Sequence, residues 1–433
     1  MSLLRIDEIF NFEKGVLQSS KCVPGEYDFI TASSDWKTHN EYTHDCEALI
    51  FAAAASGSLG RTHYVNGKFI SSDLCFIITP KDQENLPVDL KFYHILFNEL
   101  KDEIVRNTKA GTSKEAIGLG SFGKYQLPYF DIDTQIEIKN RFVNAEGLKS
   151  DLSNELNHQV DLVKKLRQQL LQDAVQGKLV EQNPKDEPAS ALLKKIKAEK
   201  EKLIAEKKLK KEKELPPIKH EEISFEIPEN WVWCKLGEIS FAANNGLYKP
   251  ESFYKDSGYI SLRMYNIQDG EIKLDKVKRV VLDEKELKNY LLEENDVLVN
   301  RVNSKELVGK SALIRNTGEP MVYESMNIRL RLANKNNLAP YINLILLESR
   351  ARFYFYSSAK VANGQVSINQ TQLYELLIPL PPLAEQTRIV QKLDELMQYC
   401  NELEASIKQS ESQNEKLLQQ VLREALRKEP VEA

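Results

Sequence analysis

One block of sequence occurs twice, 251 residues apart. Leu127-Pro128-Tyr129-Phe130, followed by Gln135 and Ile138, returns as Ile378-Pro379-Leu380-Pro381, followed by Gln386 and Ile389. The same shift, without a gap, carries Phe142 onto Leu393, Leu152 onto Leu403 and Leu156 onto Ile407. It also carries Lys165-Leu166-Arg167-Gln168-Gln169 onto Lys416-Leu417-Leu418-Gln419-Gln420. A repeat of this length means two copies of one unit, and so a pseudo-two-fold fold. Long helices between globular parts suit an extended, near-symmetric partner, for which duplex DNA is the first candidate.

The repeated block opens two amphipathic stretches. In the first, Ile138, Phe142, Ala145, Leu152, Leu156, Val163, Leu166 and Leu170 follow a coiled-coil seam, with Lys149 and Gln159 as polar seam positions. In the second, the seam is Ile389, Leu393, Leu396, Cys400, Leu403, Ile407, Ser410, Asn414, Leu417 and Val421. Each helix is about 45 residues, or roughly 65–70 Å at ~1.5 Å per residue. Either alone would expose its seam, so the two are expected to pack as an antiparallel coiled coil with the globular units at opposite ends of a rod.

The chain accordingly divides into a first globular domain at 1–133 and a first long helix at 134–183. A Lys/Glu-rich helical linker follows at 184–219, then a second globular domain at 220–382 and a second long helix at 383–433. Both globular parts read as mixed α/β. Strand candidates are Tyr27–Thr31, Ala48–Phe51 and Leu74–Thr79 in the first, Tyr259–Arg263 and Asp296–Asn300 in the second. Leu90 to Val105 has helical spacing. Leu236-Gly237-Glu238-Ile239 faintly echoes Ile6-Asp7-Glu8-Ile9.

Composition narrows the function classes. The 42% hydrophobic and 28% charged content is that of a folded chain with real cores. Charges at Arg5, Asp7 and Glu8 leave no signal-peptide core, and no apolar run is long enough for a membrane span. The five scattered cysteines, without a CxxC pair, read as reduced cytosolic thiols. Net charge is −5, but Lys194 to Glu214 carries ten Lys and five Glu. That stretch is either a phosphate-binding arm or a solvated linker, and its alternation of Glu with Lys favours the linker. An acidic total predicts weak DNA binding by the chain alone, with a partner protein supplying further phosphate contacts.

Catalytic motifs are missing. Gly118-Leu119-Gly120-Ser121-Phe122-Gly123-Lys124 matches both GxGxxG and GxxxxGK, yet Tyr125 stands where a P-loop needs Ser or Thr. No buried strand precedes Gly118, and Leu127-Pro128 follows at once. There is no Asn-Pro-Pro-aromatic methyltransferase sequence, and no His pair at metal spacing.

Polar and basic loops between strands carry the functional signal. Arg can bind guanine edges bidentately and Asn can bind adenine edges. The candidate DNA contacts in the second domain are Asn245, Tyr248, Lys249, Arg263, Asn300, Arg301, Asn303, Lys305, Lys310, Gln365 and Asn369. Their counterparts in the first are Ser33, Lys37, Arg61, Lys109, Ser113 and Lys114. Ordinary turn chemistry is the competing reading, since Asn, Gly and Ser are common loop formers.

These residues resemble a known family. Ile368-Asn369-Gln370, then Ile378-Pro379-Leu380-Pro381-Pro382-Leu383-Ala384-Glu385-Gln386, is similar to the distal boundary of a target-recognition domain in Type I restriction-modification specificity subunits. Asp296-Val297-Leu298-Val299-Asn300-Arg301 with Val308-Gly309-Lys310 resembles the interior of that domain. Ala174-Val175-Gln176-Gly177-Lys178-Leu179 and Ile227-Pro228-Glu229-Asn230-Trp231 also fit. The first copy departs: Phe130-Asp131 stands at Pro381-Pro382, and Thr134 at Glu385. The resemblance implies a non-catalytic, cytoplasmic DNA reader of bacterial or archaeal origin, in which each domain binds half of a split site and the helices act as a ruler. Its implied partners are double-stranded DNA, two methyltransferase subunits holding S-adenosylmethionine, and, as optional additions, two restriction subunits using ATP and Mg²⁺. The chain itself is expected to hold no cofactor. A four-residue insertion near Gln159 should then change only the non-specific spacer. The rival readings are a coiled-coil interaction scaffold without DNA specificity, and a nuclease or nucleotide-binding enzyme.

Overall fold

The computed structural model describes residues 2–54, 57–110, 116–316, 318–362 and 364–426. Two compact units emerge: residues up to His158 together with the segment beginning at Ile407, and Gln159–Ser406. Each combines an α/β domain with parts of both long helices.

In the first unit, six strands pair in the order Phe10–Lys14, Cys75–Pro80, His44–Ala52, Thr62–Ser71, Tyr27–Ile30, Lys37–His39. The central strand shows why it forms. Its Leu49 and Phe51 enter one core with Phe76 and Ile78, while Ala48, Ile50 and Ala52 enter another with Phe69 and Ile77. Strand side chains alternate faces, so a strand covered on both sides must be apolar throughout. The helix Leu90–Glu99 covers the first face with Phe92, Tyr93, Leu96 and Phe97. It is capped by Asp89, which accepts from the Phe92 amide at 3.0 Å. Truncating Phe51 to Ala would remove a fully buried ring, at a cost of about 3–5 kcal/mol.

The second unit repeats the strand order of the first four. Ser240–Asn245, Asn327–Leu332, Val297–Asn300 and Ser311–Leu313 form one sheet. The first unit's long strand Thr62–Ser71 pairs in parallel with Tyr27–Ile30. Here its two ends are separate strands, Ser311–Leu313 and Met321–Tyr323, and the latter pairs in parallel with Tyr259–Leu262. The scaffold is therefore shared although the sequence between the repeated blocks is not.

The frame around each domain is also repeated. Ser2–Arg5 pairs antiparallel with Gln126–Tyr129, and Val232–Lys235 pairs antiparallel with Leu377–Leu380. Each leads into a one-turn helix, Ile6–Ile9 or Leu236–Ile239. There the Arg5 amide donates to Glu8 at 2.7 Å and the Lys235 amide to Glu238 at 2.7 Å. The faint echo in the sequence thus marks an equivalent element, offset by 230 residues rather than 251.

The long helices, Ile132–Val175 and Leu383–Leu426, are each 44 residues. They pair antiparallel within each unit. In the first, the Asn414 amide donates to the Lys149 carbonyl at 3.0 Å and to Ser153 Oγ at 2.9 Å. In the second, Arg167 donates to Asn401 at 2.7 Å and Glu404 at 3.1 Å. The seam differs from the strict sequence reading: Leu152, Leu166 and Leu403 are exposed, whereas Ala145, Leu156, Val163, Leu171 and Ala174 are buried. A straight helix at ~3.6 residues per turn does not keep a strict 3.5-residue repeat in register, so some heptad positions face outward between buried ones.

The Lys/Glu-rich stretch also differs from expectation. The helix Ala189–Ala205 is solvated only on its outer face, because Ala189, Leu192, Leu193 and Ile196 enter the second unit's core. Their i, i+3, i+4, i+7 spacing forms an apolar stripe among the lysines. Lys200 donates to the Gly237 carbonyl at 2.7 Å, and Lys197 pairs with Glu238 at 2.6 Å.

Candidate nucleic-acid interface

In each unit, loops distant in sequence are tied together by the same backbone hydrogen bonds. The first unit has Ala53 N to Leu74 O at 2.9 Å, Ile117 N to Ala53 O at 2.8 Å and Ser72 N to Ile30 O at 2.9 Å. The second has Arg301 N to Met326 O at 2.8 Å, Ile368 N to Arg301 O at 2.9 Å and Glu324 N to Leu262 O at 3.0 Å. Three segments therefore meet in each: the loop after the central strand, the turn after Ser71 or Tyr323, and a two-stranded hairpin. That hairpin is Lys109–Ala110 with Ala116–Ile117, or Lys360–Ala362 with Gln365–Ser367.

The loop after the central strand closes identically. Ala52 N donates to Arg61 O and Asn300 N to Lys310 O, both at 2.8 Å. Gly60 N donates to Ala52 O at 2.8 Å and Gly309 N to Asn300 O at 2.9 Å. Both glycines have φ of +81°, which disfavours a side chain. A Cβ would also meet Val105 at 2.7 Å in the first and Phe355 at 2.4 Å in the second.

The sequence candidates fall into distinct groups around this frame. Ser33 and Arg61 come together: His63 Nε2 lies 2.9 Å from Ser33 O, and Arg61 donates to Ala32 O at 3.3 Å. Trp36 adds a T-shaped contact to His63 at 5.9 Å, an aromatic the candidate set omitted. Lys37 is exposed on the edge strand, and Lys109 begins the hairpin. Ser113 and Lys114 lie outside the described residues.

In the second unit, Asn245 ends its strand exposed and Tyr248 is 82% exposed beside it. This loop joins the cluster through Leu247 N, which donates to Tyr323 O at 2.8 Å. Lys249 is already paired, with Glu286 at 2.5 Å and over the Phe253 ring at 4.5 Å. Arg263 is held by Glu324 at 2.8 Å. Lys305 lies over the Tyr356 ring at 4.2 Å. Gln365 is exposed on the hairpin, and Asn369 caps the helix Gln370–Glu375 by accepting from Gln372 N at 3.0 Å.

Asn300 is different. It is fully buried and its amide donates to Met326 O at 3.0 Å and Asn327 Oδ1 at 3.1 Å, so it builds the loop from inside. Asn303 in turn donates to Asn300 Oδ1 at 2.7 Å. The Arg301 guanidinium donates to Ser325 O at 3.3 Å, and its Nε has no partner among the described residues. The Glu324–Met326 turn, at the hub of these contacts, had no signal in the sequence beyond being polar.

The glycine-rich decoy has a structural purpose. It forms the helix Leu119–Lys124, equivalent to Gln370–Glu375 and packed on the one-turn helix Ile6–Ile9. A Cβ on Gly123 would meet Phe12 at 2.7 Å and Asp7 at 3.2 Å. At the matching crossing the small residue is on the other partner: Gly237 faces Tyr374, 2.9 Å from where its Cβ would be.

A family model described as Type I restriction modification DNA specificity domain matches residues 2–162 and 228–410. The Type I restriction enzyme EcoAI specificity subunit of Escherichia coli is 39% identical over 248 residues, covering 56% of this chain and 41% of that protein. The EcoEI specificity subunit, also of Escherichia coli, is 33% identical over 250 residues, 57% of this chain and 42% of that protein. The matched region thus spans about two fifths of those relatives' length. A crystal structure of the HsdS subunit from Thermoanaerobacter tengcongensis shares the fold, with a TM-score of 0.56 at 16% identity over 98% of this chain and 96% of that one.

Proposed function

Because this chain belongs to the Type I restriction modification DNA specificity family, we propose that each of its two α/β domains binds one half of a bipartite duplex-DNA site. The chain acts as a non-catalytic reader. Its long helices set the gap between the half-sites and dock two methyltransferase subunits. S-adenosylmethionine belongs to those subunits, and ATP with Mg²⁺ to restriction subunits where these join the assembly.

One observation carries this reading: two domains of different sequence hold their loops on the same five backbone hydrogen bonds, with a cation closing each loop. A shared frame with divergent loop side chains is what two readers of two different half-sites need. Base contacts then come from loop side chains and position from the frame. The acidic net charge of −5 leaves part of the phosphate binding to the partner subunits.

The test is sequence-dependent methylation of a duplex library by the chain together with its methyltransferase subunits. A reader directs methyl transfer to one split motif. A coiled-coil scaffold without DNA specificity yields none.

A further inference from the structure

Three half-buried cations of the two loop clusters, Arg61, Arg301 and Lys310, have no carboxylate partner among the described residues. Lys249 and Arg263, by contrast, are each paired with a glutamate. Among the described residues, Arg61 reaches two neutral oxygens, Ala32 O at 3.3 Å and Ser58 Oγ at 3.4 Å, both long. Lys310 makes no ion pair among the described residues. Burial holds its ammonium below the ordinary lysine range, and Asp269 acts on it only through space. A partly desolvated cation without a counter-charge is costly unless a ligand supplies one.

Two of these cations occupy one position. Arg61 and Lys310 each follow a glycine at φ +81°, and each gives its carbonyl to the residue that ends the central strand. Position and charge are retained while side-chain shape is not. An arginine fork and a lysine point charge both bind phosphate, whereas bidentate recognition depends on the fork's shape and does not survive an exchange of the two.

We infer that Arg61 and Lys310 are equivalent phosphate contacts, one per domain, that seat each loop on the DNA backbone without reading sequence. This rests on the DNA-reading function above and adds a division of labour within it. The loop's closing residue positions, and the residues between the closing points read.

The experiment is selection and titration of a randomised 40-base-pair duplex pool with the full chain and its methyltransferase subunits, at several salt concentrations. Arg61→Ala and Lys310→Ala are each expected to weaken binding about tenfold while leaving the selected motif unchanged. The slope of log affinity against log salt should become shallower by about one. Arg61→Lys and Lys310→Arg should keep both affinity and motif. These conservative variants keep the question open to refutation if an alanine variant fails to fold, which its thermal midpoint reports. A changed base preference in any of the four variants overturns the inference, as does affinity loss in only one domain or in neither. A wild-type complex that selects no motif overturns the DNA-reading function itself.

Discussion

Gln135 and Gln386 make the same hydrogen bond in the two copies: each buried amide donates to the carbonyl five residues earlier, Phe130 at 2.7 Å and Pro381 at 2.9 Å. Each thereby ties the first turn of a long helix to the strand that closes its domain. The shared bond fits the recurrence of glutamine there, since its side-chain amide donates to that carbonyl in both copies.

The two glutamines are not equally engaged, which gives a first prediction. Gln135 also donates to Pro87 O at 3.0 Å and accepts from Asp89 N at 2.8 Å, whereas Gln386 Oε1 is buried without a partner. Gln135→Ala should cost about 1–3 kcal/mol in denaturant unfolding and Gln386→Ala less. Equal losses would show that the extra bonds of Gln135 contribute nothing.

The glycine exchange gives a second. Gly123→Ala and Gly237→Ala should each lower stability by about 1–3 kcal/mol through overpacking at the helix crossing. Lys124→Ala, just after the glycine motif, should change neither stability appreciably nor ATP binding. Calorimetric titration with ATP checks the latter, and a Lys124-dependent ATP signal would revive a nucleotide site.

Glu385 gives a third. It accepts from Trp231 Nε1 at 3.0 Å and Gln182 Nε2 at 2.5 Å, latching the segment between the copies to the start of the second long helix. Arg388 with Asp186, at 2.7 Å, adds a second clasp. Thr134, at the first copy's matching position, instead bonds within its own turn, to Asp131 at 2.9 Å. Burial pushes the Glu385 carboxyl above the ordinary glutamate range, against the pull of Trp231, Gln182 and Arg388. A carboxyl with a raised folded-state pKa binds its proton more tightly folded than unfolded. Its contribution to stability therefore falls as pH rises between the unfolded and folded values, and the penalty persists above both. Glu385→Gln should raise the thermal midpoint at about pH 7, and the advantage should shrink toward about pH 4. A lower midpoint at neutral pH would mean that the charge-assisted bonds outweigh desolvation.

The outer faces of the helices give a fourth. Leu148 and Leu152, exposed by 66% and 43%, are matched 251 residues on by Tyr399 and Leu403, exposed by 54% and 50%. Repeated exposed apolar pairs suit a partner present in two copies. Leu148→Glu and Tyr399→Glu should each reduce co-purification of the methyltransferase subunits while changing chain stability by about 0.5 kcal/mol or less. Retained stoichiometry in both variants would place docking elsewhere.

The repeat made the fold class, the two domains and the two helices legible, because boundary strand and helix keep their side chains. The shared loop frame was hidden since backbone hydrogen bonds leave almost no side-chain trace. Only Gly60-Arg61 and Gly309-Lys310 marked it, and their spacing from the repeated block differs between the copies. The loops themselves were recognisable by composition, but Asn300 was not separable from Asn303 or Asn245: all three are asparagines at strand ends, and only burial distinguishes them. The docked helix Ala189–Ala205 was masked by its lysines, although its apolar stripe was present. In the seam, Leu152 and Leu403 matched a heptad on paper, whereas the helices keep their own period.

Sequencing of methylated bases in cells carrying the methyltransferase subunits, with either the wild-type chain or one whose residues 302–308 are exchanged for another loop sequence, tests the two-reader account most directly. The predicted result is a split motif with a fixed gap in which the exchange alters one half and leaves the other half and the gap unchanged. A single continuous motif, or an exchange that alters both halves together, would contradict it.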